Sequence, residues 1–343
     1  MTTLHNISLK PWHTFGIEAQ ADTLITIDSA AEVPAIVEEL ARQGAKPLVL
    51  GGGSNTIFTA DCHRPILHMA NNAIVLRATH DEGDVVVEAD AGVEWDRFVQ
   101  HCIANGWYGA ENLVAIPGTV GAAPVQNVGA YGSEAADIVE SVQAVDLATG
   151  EPRVFGADEC LFGYRSSIFK TQLAGRYIIT SVCFRLHTEY RPKLEYKALR
   201  EALAERGLSH PTAGEVADTV TDIRWSKLPR PQETGSAGSF FKNPVVTASQ
   251  YEELQSRWPG IAAFASGDKY KLSAGWLIEH AGWKGRTLGT AGVYERNALV
   301  LCNRGNDGQP CLGNDVLNLA KAVTADVEAR FGVLLEPEAI IIQ

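Results

Sequence analysis

Two glycine-rich stretches are the places where this sequence could bind an anion through its backbone. The first, Gly51-Gly52-Gly53-Ser54-Asn55, follows directly on the apolar run Pro47-Leu48-Val49-Leu50. Glycine lets a ligand approach the chain closely, and successive N–H groups form a concavity suited to phosphate. This is not the dinucleotide fingerprint that opens a helix. Thr56-Ile57-Phe58-Thr59 favours a strand, Pro65 follows, and the positions near Asn71 and Asn72 hold no acid for a ribose. The second stretch runs Ile116-Pro117-Gly118-Thr119-Val120-Gly121-Ala122-Ala123-Pro124-Val125-Gln126-Asn127 and on through Gly129-Ala130-Tyr131-Gly132. A connection that long, made of small residues and nearly free of charge, cannot build a core, and its prolines oppose disorder. One glycine cluster is a generic turn signal. Two uncharged ones point to a large, flat, phosphate-bearing cofactor held mainly by backbone groups.

Arg224 and Lys227 lie three apart on a helical pattern, so their side chains can point the same way toward an anionic ligand; the competing reading is a solvated helix face. Cys62, His63 and His68 cluster without a second ligand pair at zinc-like spacing, so no metal is expected. Gly235-Ser236-Ala237-Gly238-Ser239 lacks the frame of a hydrolase nucleophile elbow.

The elements that must position these stretches alternate between strand and helix. Leu24, Ile25 and Ile27 sit in a β-favouring run, and Ser29 with Glu32 makes a capping box. Val33, Ile36, Val37 and Leu40 recur at helical spacing up to Gly44, with Pro34 awkward at the start. Asp84 to Ala89 reads as a strand, and Phe98, Val99, Cys102 and Ile103 mark a helix ending near Gly106. The stretch from Gly106 to Gly132 reads as a long loop. Strands follow at Ile138–Leu147 and Tyr177–Leu186, then a helix from a Thr212/Glu215 capping box through Val216, Val220 and Ile223. After Pro229 and Pro231, read as a domain boundary, helices are expected near Ser249–Trp258, Leu272–His280 and Asp315–Phe331, with a strand at Ala298–Cys302. The run Leu334–Gln343 reads as a strand interrupted by Pro337, hence an edge or a bulge.

The chain has 343 residues, enough for two or three packed units, and 45% hydrophobic against 20% charged residues, as in a globular protein with a sizeable core. A net charge of −12 opposes binding to nucleic acid or to an anionic membrane surface. An anionic small molecule would need a local convergence of basic residues. The six cysteines are scattered, which suits reduced thiols better than a disulfide framework. No signal-peptide core or membrane-length apolar run is present, so the cytoplasm is the expectation; a monomer is expected as well.

Specific resemblance enters with a series of motifs in order along the chain. They are Trp12-His13-Thr14-Phe15-Gly16, Leu50 to Asn55, Glu111-Asn112-Leu113 running into Ile116 to Gly132, Phe162-Gly163-Tyr164-Arg165, Gly238-Ser239-Phe240-Phe241-Lys242-Asn243-Pro244, Ala274-Gly275-Trp276-Leu277-Ile278, and Leu335-Glu336-Pro337-Glu338. Together they resemble the successive signatures of the UDP-N-acetylenolpyruvoylglucosamine reductase family. The resemblance implies an α+β chain with non-covalent FAD in a fold of the vanillyl-alcohol-oxidase/PCMH type. Residues 1–68 would form a first FAD-binding subdomain, completed by the strand 332–343; 69–228 would form a second, and 229–331 a substrate-binding domain. FAD would lie on Leu50 to Asn55, on Ile116, Pro117, Gly118, Thr119, Gly121 and Ala122, and on Gln126, Asn127, Gly129, Ala130 and Tyr131. NADPH would be the reductant and UDP-N-acetylglucosamine enolpyruvate the substrate.

Hydride added to the terminal enolpyruvyl carbon leaves negative charge on its neighbour and on the carboxylate, which calls for cationic groups and a proton donor. By resemblance, Arg165 and Glu338 stabilise that charge and Ser239 delivers the proton; Glu338 acts either as an acid or by holding the arginine. Tyr164, Tyr196, Arg224, Lys227, Lys242 and Asn243 are the substrate-binding candidates, with Tyr196 on a segment that closes over the substrate. Tyr294 and Arg296-Asn297 depart from the family, which often carries histidine there. The competing enzyme reading is a flavin oxidase or dehydrogenase of the same fold acting on an alcohol or hydroxy acid; such enzymes often attach flavin to a histidine or cysteine, and neither glycine loop contains one.

Overall fold

A computed structural model of the chain describes residues 1–79, 83–306 and 308–343. The chain forms two compact units, one of Met1–Ile7, Ala21–Gly52 and His63–Trp225, the other of Ser8–Gln20, Gly53–Cys62 and Ser226–Gln343. Both mix helix and strand.

In the first unit, the strand Gln20–Ile27, the helix Val33–Arg42 and the strand Leu48–Val49 form a crossover. Both strands pair parallel with Ile66–Met69. The first glycine loop thus leaves the C-terminal end of a parallel strand, where α/β sheets place ligands. The Ser29/Glu32 capping box is present, across a tight helical turn just before the helix. Pro34 is not a defect, because it lies in the helix's first turn, where no N–H needs a partner.

A five-stranded antiparallel sheet follows, in the order Pro152–Gly156, Val139–Asp146, Tyr177–His187, Asp84–Asp90, Ile74–Thr79. Its central strand, Tyr177–His187, is buried along most of its length, which explains its apolar sequence. The helix Trp95–Ala104 buries Trp95, Phe98, Val99 and Cys102, with the rings of Phe98 and Phe184 4.4 Å apart. The stretch expected as one long loop is more ordered than that. It contains tight turns at Glu111–Leu113 and Val120–Ala122, a one-turn helix Ala123–Gln126 started by Pro124, and a short strand Gly129–Ala130. The helix Lys197–Glu205 was not marked by its sequence pattern. In the helix Ala213–Lys227 the expected box is present, Thr212 N donating to Glu215 Oε2 at 2.7 Å and Glu215 N to Thr212 Oγ1 at 3.3 Å.

The second unit holds a four-stranded sheet ordered Ser236–Ser239, Val300–Asn303, Ala291–Val293, Thr287–Leu288, and a three-stranded sheet ordered Val245–Thr247, Lys269–Leu272, Ala263–Ser266. The helix Gly313–Phe331 packs Val316, Leu319, Val323, Val327 and Phe331 into the core. The terminal run is not one strand. Pro337 bridges to Phe241, while Ile340–Ile342 pairs parallel with Thr56–Phe58. Pro337 lacks a donor and divides the run between two partners. All six cysteines are buried free thiols.

Candidate active site

Within the first unit, Gly51 and Gly52 of the first glycine loop converge on the second loop. A Cβ built on Gly52 would stand 2.9 Å from Gly118 Cα, and one on Gly51 would stand 3.0 Å from Thr119 Oγ1. The second loop is pinned where Trp95 N donates to Gly118 O at 3.0 Å and Val120 N donates to Val93 O at 2.9 Å. Among the described residues, the N–H groups of Gly51, Gly52 and Gly118 donate to no protein acceptor. Glycine-only close approach with amides left available is what a dinucleotide pyrophosphate needs, so the residues present fit FAD.

Four of the non-glycine residues in the left-handed region fall on this loop and the Arg165 turn: Ala115 (φ 58°), Asn127 (φ 44°), Tyr131 (φ 49°) and Arg165 (φ 53°). Such conformations persist only where surroundings hold them, and they gather at functional sites. Ala115 is held from both sides, its N–H donating to Asp96 Oδ1 at 2.6 Å and its carbonyl accepting from Arg224 Nε at 3.1 Å. Asn127 is a hub. Its Nδ2 donates to Glu134 Oε2 at 2.7 Å and to Gly163 O at 3.1 Å, and its Oδ1 accepts from Ala136 N at 2.9 Å. Gly163 and Ser166 exchange backbone hydrogen bonds of 3.0 and 3.1 Å, which puts Tyr164 and Arg165 at the tip of a turn. Arg165 is half-buried, with its guanidinium 5.9 Å from the Tyr164 ring centre.

Burial pulls the pKa of Arg224 down, and the Tyr131 side opposes this while the charge of Arg165 adds to it. Two guanidinium groups that sense one another make an electropositive spot suited to carboxylate or phosphate. Arg224, expected to meet the substrate, also spends its Nε on Ala115. Burial pushes the Tyr131 hydroxyl up to about 12, so it remains a neutral donor near pH 7. Its ring meets that of exposed Tyr196 edge to face at 5.3 Å. Asp96 and Glu134, which brace this loop, carry no sequence signal that separates them from ordinary surface acids.

The second unit brings Ser239 and Glu338 onto one ladder. Glu338 N donates to Phe240 O at 2.7 Å and Lys242 N to Glu336 O at 2.9 Å, so Ser239 to Lys242 runs antiparallel to Glu336 to Glu338. Phe240 N donates to Leu299 O at 2.8 Å, and Phe240 and Phe241, next to Ser239 in sequence, are buried. Gly238 supplies the left-handed turn (φ 66°) just before the serine. Asn55 Nδ2 donates to Glu338 O at 3.1 Å, and Ile340 N to Asn55 O at 2.8 Å. Trp12 and His13 seat Gly53, where a Cβ would stand 2.3 Å from Trp12 O. Lys242 Nζ lies 3.3 Å from the exposed Glu336 carboxylate, Asn243 Oδ1 accepts from Ala274 N at 2.9 Å to cap a helix, and Lys227 is exposed. At the departing positions, Tyr294 is buried and Asn297 Oδ1 accepts from Leu299 N at 3.1 Å. Arg165 belongs to the first unit; Ser239 and Glu338 belong to the second.

Known proteins resemble the chain along nearly its whole length. A family model described as an FAD binding domain matches residues 21–156, and one described as the C-terminal domain of UDP-N-acetylenolpyruvoylglucosamine reductase matches 230–342. The UDP-N-acetylenolpyruvoylglucosamine reductase of Pseudomonas putida is 46% identical over 334 residues, spanning 97% of this chain and 96% of its own. That of an Azoarcus species is 46% identical over 338 residues with the same coverage of each chain. Among solved structures, UDP-N-acetylenolpyruvylglucosamine reductase from Thermus caldophilus matches 100% of both chains with a TM-score of 0.70 at 25% identity.

Proposed function

Since the chain belongs to the UDP-N-acetylenolpyruvoylglucosamine reductase family, we propose that Arg165, Ser239 and Glu338 carry its chemistry, with NADPH as the reductant. The protein is an FAD-dependent oxidoreductase with the vanillyl-alcohol-oxidase/PCMH type of α+β fold. It reduces UDP-N-acetylglucosamine enolpyruvate to UDP-N-acetylmuramate in peptidoglycan precursor synthesis.

The observation that carries the residue assignment is the Glu338 N to Phe240 O hydrogen bond of 2.7 Å, because it sets two motifs remote in sequence side by side. FAD, when bound on the glycine cradle, supplies the two-electron relay from NADPH to the enolpyruvyl double bond. The chain's own residues deal with the charge that results. Arg165 presents a planar fork to the substrate carboxylate and disperses negative charge growing there. Glu338 shares that task as an acid or as the group that fixes the arginine. Ser239 Oγ gives its proton to the carbon next to the carboxylate, a role that requires a hydroxyl fixed within hydrogen-bond reach. Tyr164, Tyr196, Arg224, Lys227, Lys242 and Asn243 hold the UDP-sugar, and the loop residues from Leu50 to Asn55 and from Ile116 to Tyr131 hold FAD. The division into 1–68 with 332–343, 69–228 and 229–331 belongs to this reading, supported by family matches over 21–156 and 230–342. So do a monomer and a cytoplasmic location; buried free thiols suit a reducing compartment. Among the described residues no helix is long and apolar enough to cross a membrane.

Ser239→Ala tests the assignment in two half-reactions. Flavin bleaching by NADPH should stay within about twofold, while reoxidation by UDP-N-acetylglucosamine enolpyruvate should slow by about 10² or more, the usual worth of a positioned acid. Full turnover in that variant removes Ser239 from its role. A preparation that takes up no FAD removes the whole reading.

A further inference from the structure

Asn112 has no part in the chemistry above, yet its side chain joins two segments that do. It lies on the turn Glu111–Leu113 and is 2% exposed. Its Nδ2 donates to Tyr131 O at 2.9 Å and to Lys193 O at 2.8 Å. The first carbonyl belongs to the second glycine loop, at a residue in the left-handed region (φ 49°). The second belongs to the segment that leads into Tyr196. The same two segments meet again where the Tyr131 and Tyr196 rings pack edge to face at 5.3 Å. The Lys193 to Asp137 ion pair of 2.8 Å also holds this segment, but both partners are exposed and such pairs contribute little. A buried carboxamide is the compact group that donates to two carbonyls at once; an apolar replacement leaves both carbonyls without that donor.

We propose that Asn112 is a positioning residue that ties the cofactor loop to the Tyr196 segment, so that order in one imposes order on the other. The inference rests on the reading that Tyr196 contacts the UDP-sugar. FAD binding, by stiffening the loop at Tyr131, then prepares the segment for substrate before substrate arrives. A residue with a purely structural role would alter FAD uptake and both half-reactions alike.

The test compares wild type and Asn112→Leu, which keeps the branched side-chain skeleton without its polar atoms, as FAD-loaded full-length protein. Flavin bleaching by NADPH should stay within about twofold, and any loss of FAD affinity should be smaller than the effect on substrate. The KM for UDP-N-acetylglucosamine enolpyruvate should rise by about tenfold or more, with a smaller fall in kcat. Adding Tyr196→Ala to the variant should then raise KM by much less than it does in wild type, because the two changes act through one segment. An unchanged KM, or effects that multiply, overturns the proposal. Should Asn112→Leu fail to fold, hydrogen exchange on the wild type decides. Adding FAD should protect the amides of 194–197 in step with those of 129–132, and protection confined to 129–132 overturns the proposal. Absence of any substrate turnover by wild type would instead remove the parent reading, while the exchange result would stand alone.

Discussion

Arg165 stands at the tip of a turn closed by two backbone hydrogen bonds, in a left-handed conformation, and braced from outside by Asn127. Ser239 and Glu338 stand on paired extended segments, where backbone bonds repeat along the ladder and Asn55 adds one more to Glu338 O. An asparagine amide serves both places, with different weight. On the turn it gathers three polar groups around a strained backbone, whereas on the ladder neighbouring strand bonds already fix the same carbonyl's register. Strain concentrates the task of aiming a side chain in few residues; regular pairing spreads it.

The largest effect expected lies in the cradle beside the strained loop. Gly52→Val puts a branched side chain where even one Cβ would stand 2.9 Å from Gly118 Cα. The protein should purify folded by circular dichroism yet nearly colourless, with FAD affinity down by about 100-fold or more, equivalent to about 3 kcal/mol. A yellow Gly52→Val protein would show that the loops part easily and that their convergence is not what holds the cofactor. Next comes the pair of asparagines. Asn127→Ala should lower unfolding free energy by about 3 kcal/mol, three hydrogen bonds at roughly 1 kcal/mol each, and Asn55→Ala by less, because strand bonds share the holding of Glu338. Urea unfolding of the two variants side by side measures this, and equal losses would erase the contrast between turn and ladder. The smallest effect belongs to Ala115→Gly. Glycine relieves a left-handed strain of about 1 kcal/mol but adds entropy to the unfolded chain, so stability should rise by about 1 kcal/mol at most. A clear loss in thermal unfolding would mean that Ala115 is not strained.

What the sequence announced was local. Gly51 to Asn55 and Ile116 to Gly132 declared themselves because their composition suits nothing but a turn or a ligand. The Ser29/Glu32 and Thr212/Glu215 boxes declared helix starts because both partners lie within one turn. The strand Pro152–Gly156 was hidden, as it opens on proline and is mostly exposed. So was Lys269–Leu272, where Lys-Tyr-Lys presents no apolar run although it centres a sheet. The bracing by Asn127 and Asn55 was out of reach for a different reason. Their carbonyl partners lie 36 and 283 positions away, and nothing about an asparagine says which distant carbonyl it will meet.

The parallel pairing of Ile340–Ile342 with Thr56–Phe58 also carries a consequence for biosynthesis. At roughly 5–20 residues per second, the ribosome delivers the later segment tens of seconds after the earlier one. Through that interval the nascent Thr56–Phe58 segment has an unmet edge, and Glu338 does not yet exist. Assembly of the second unit, and with it one of the candidate acids, is therefore an obligately late event in the life of the chain.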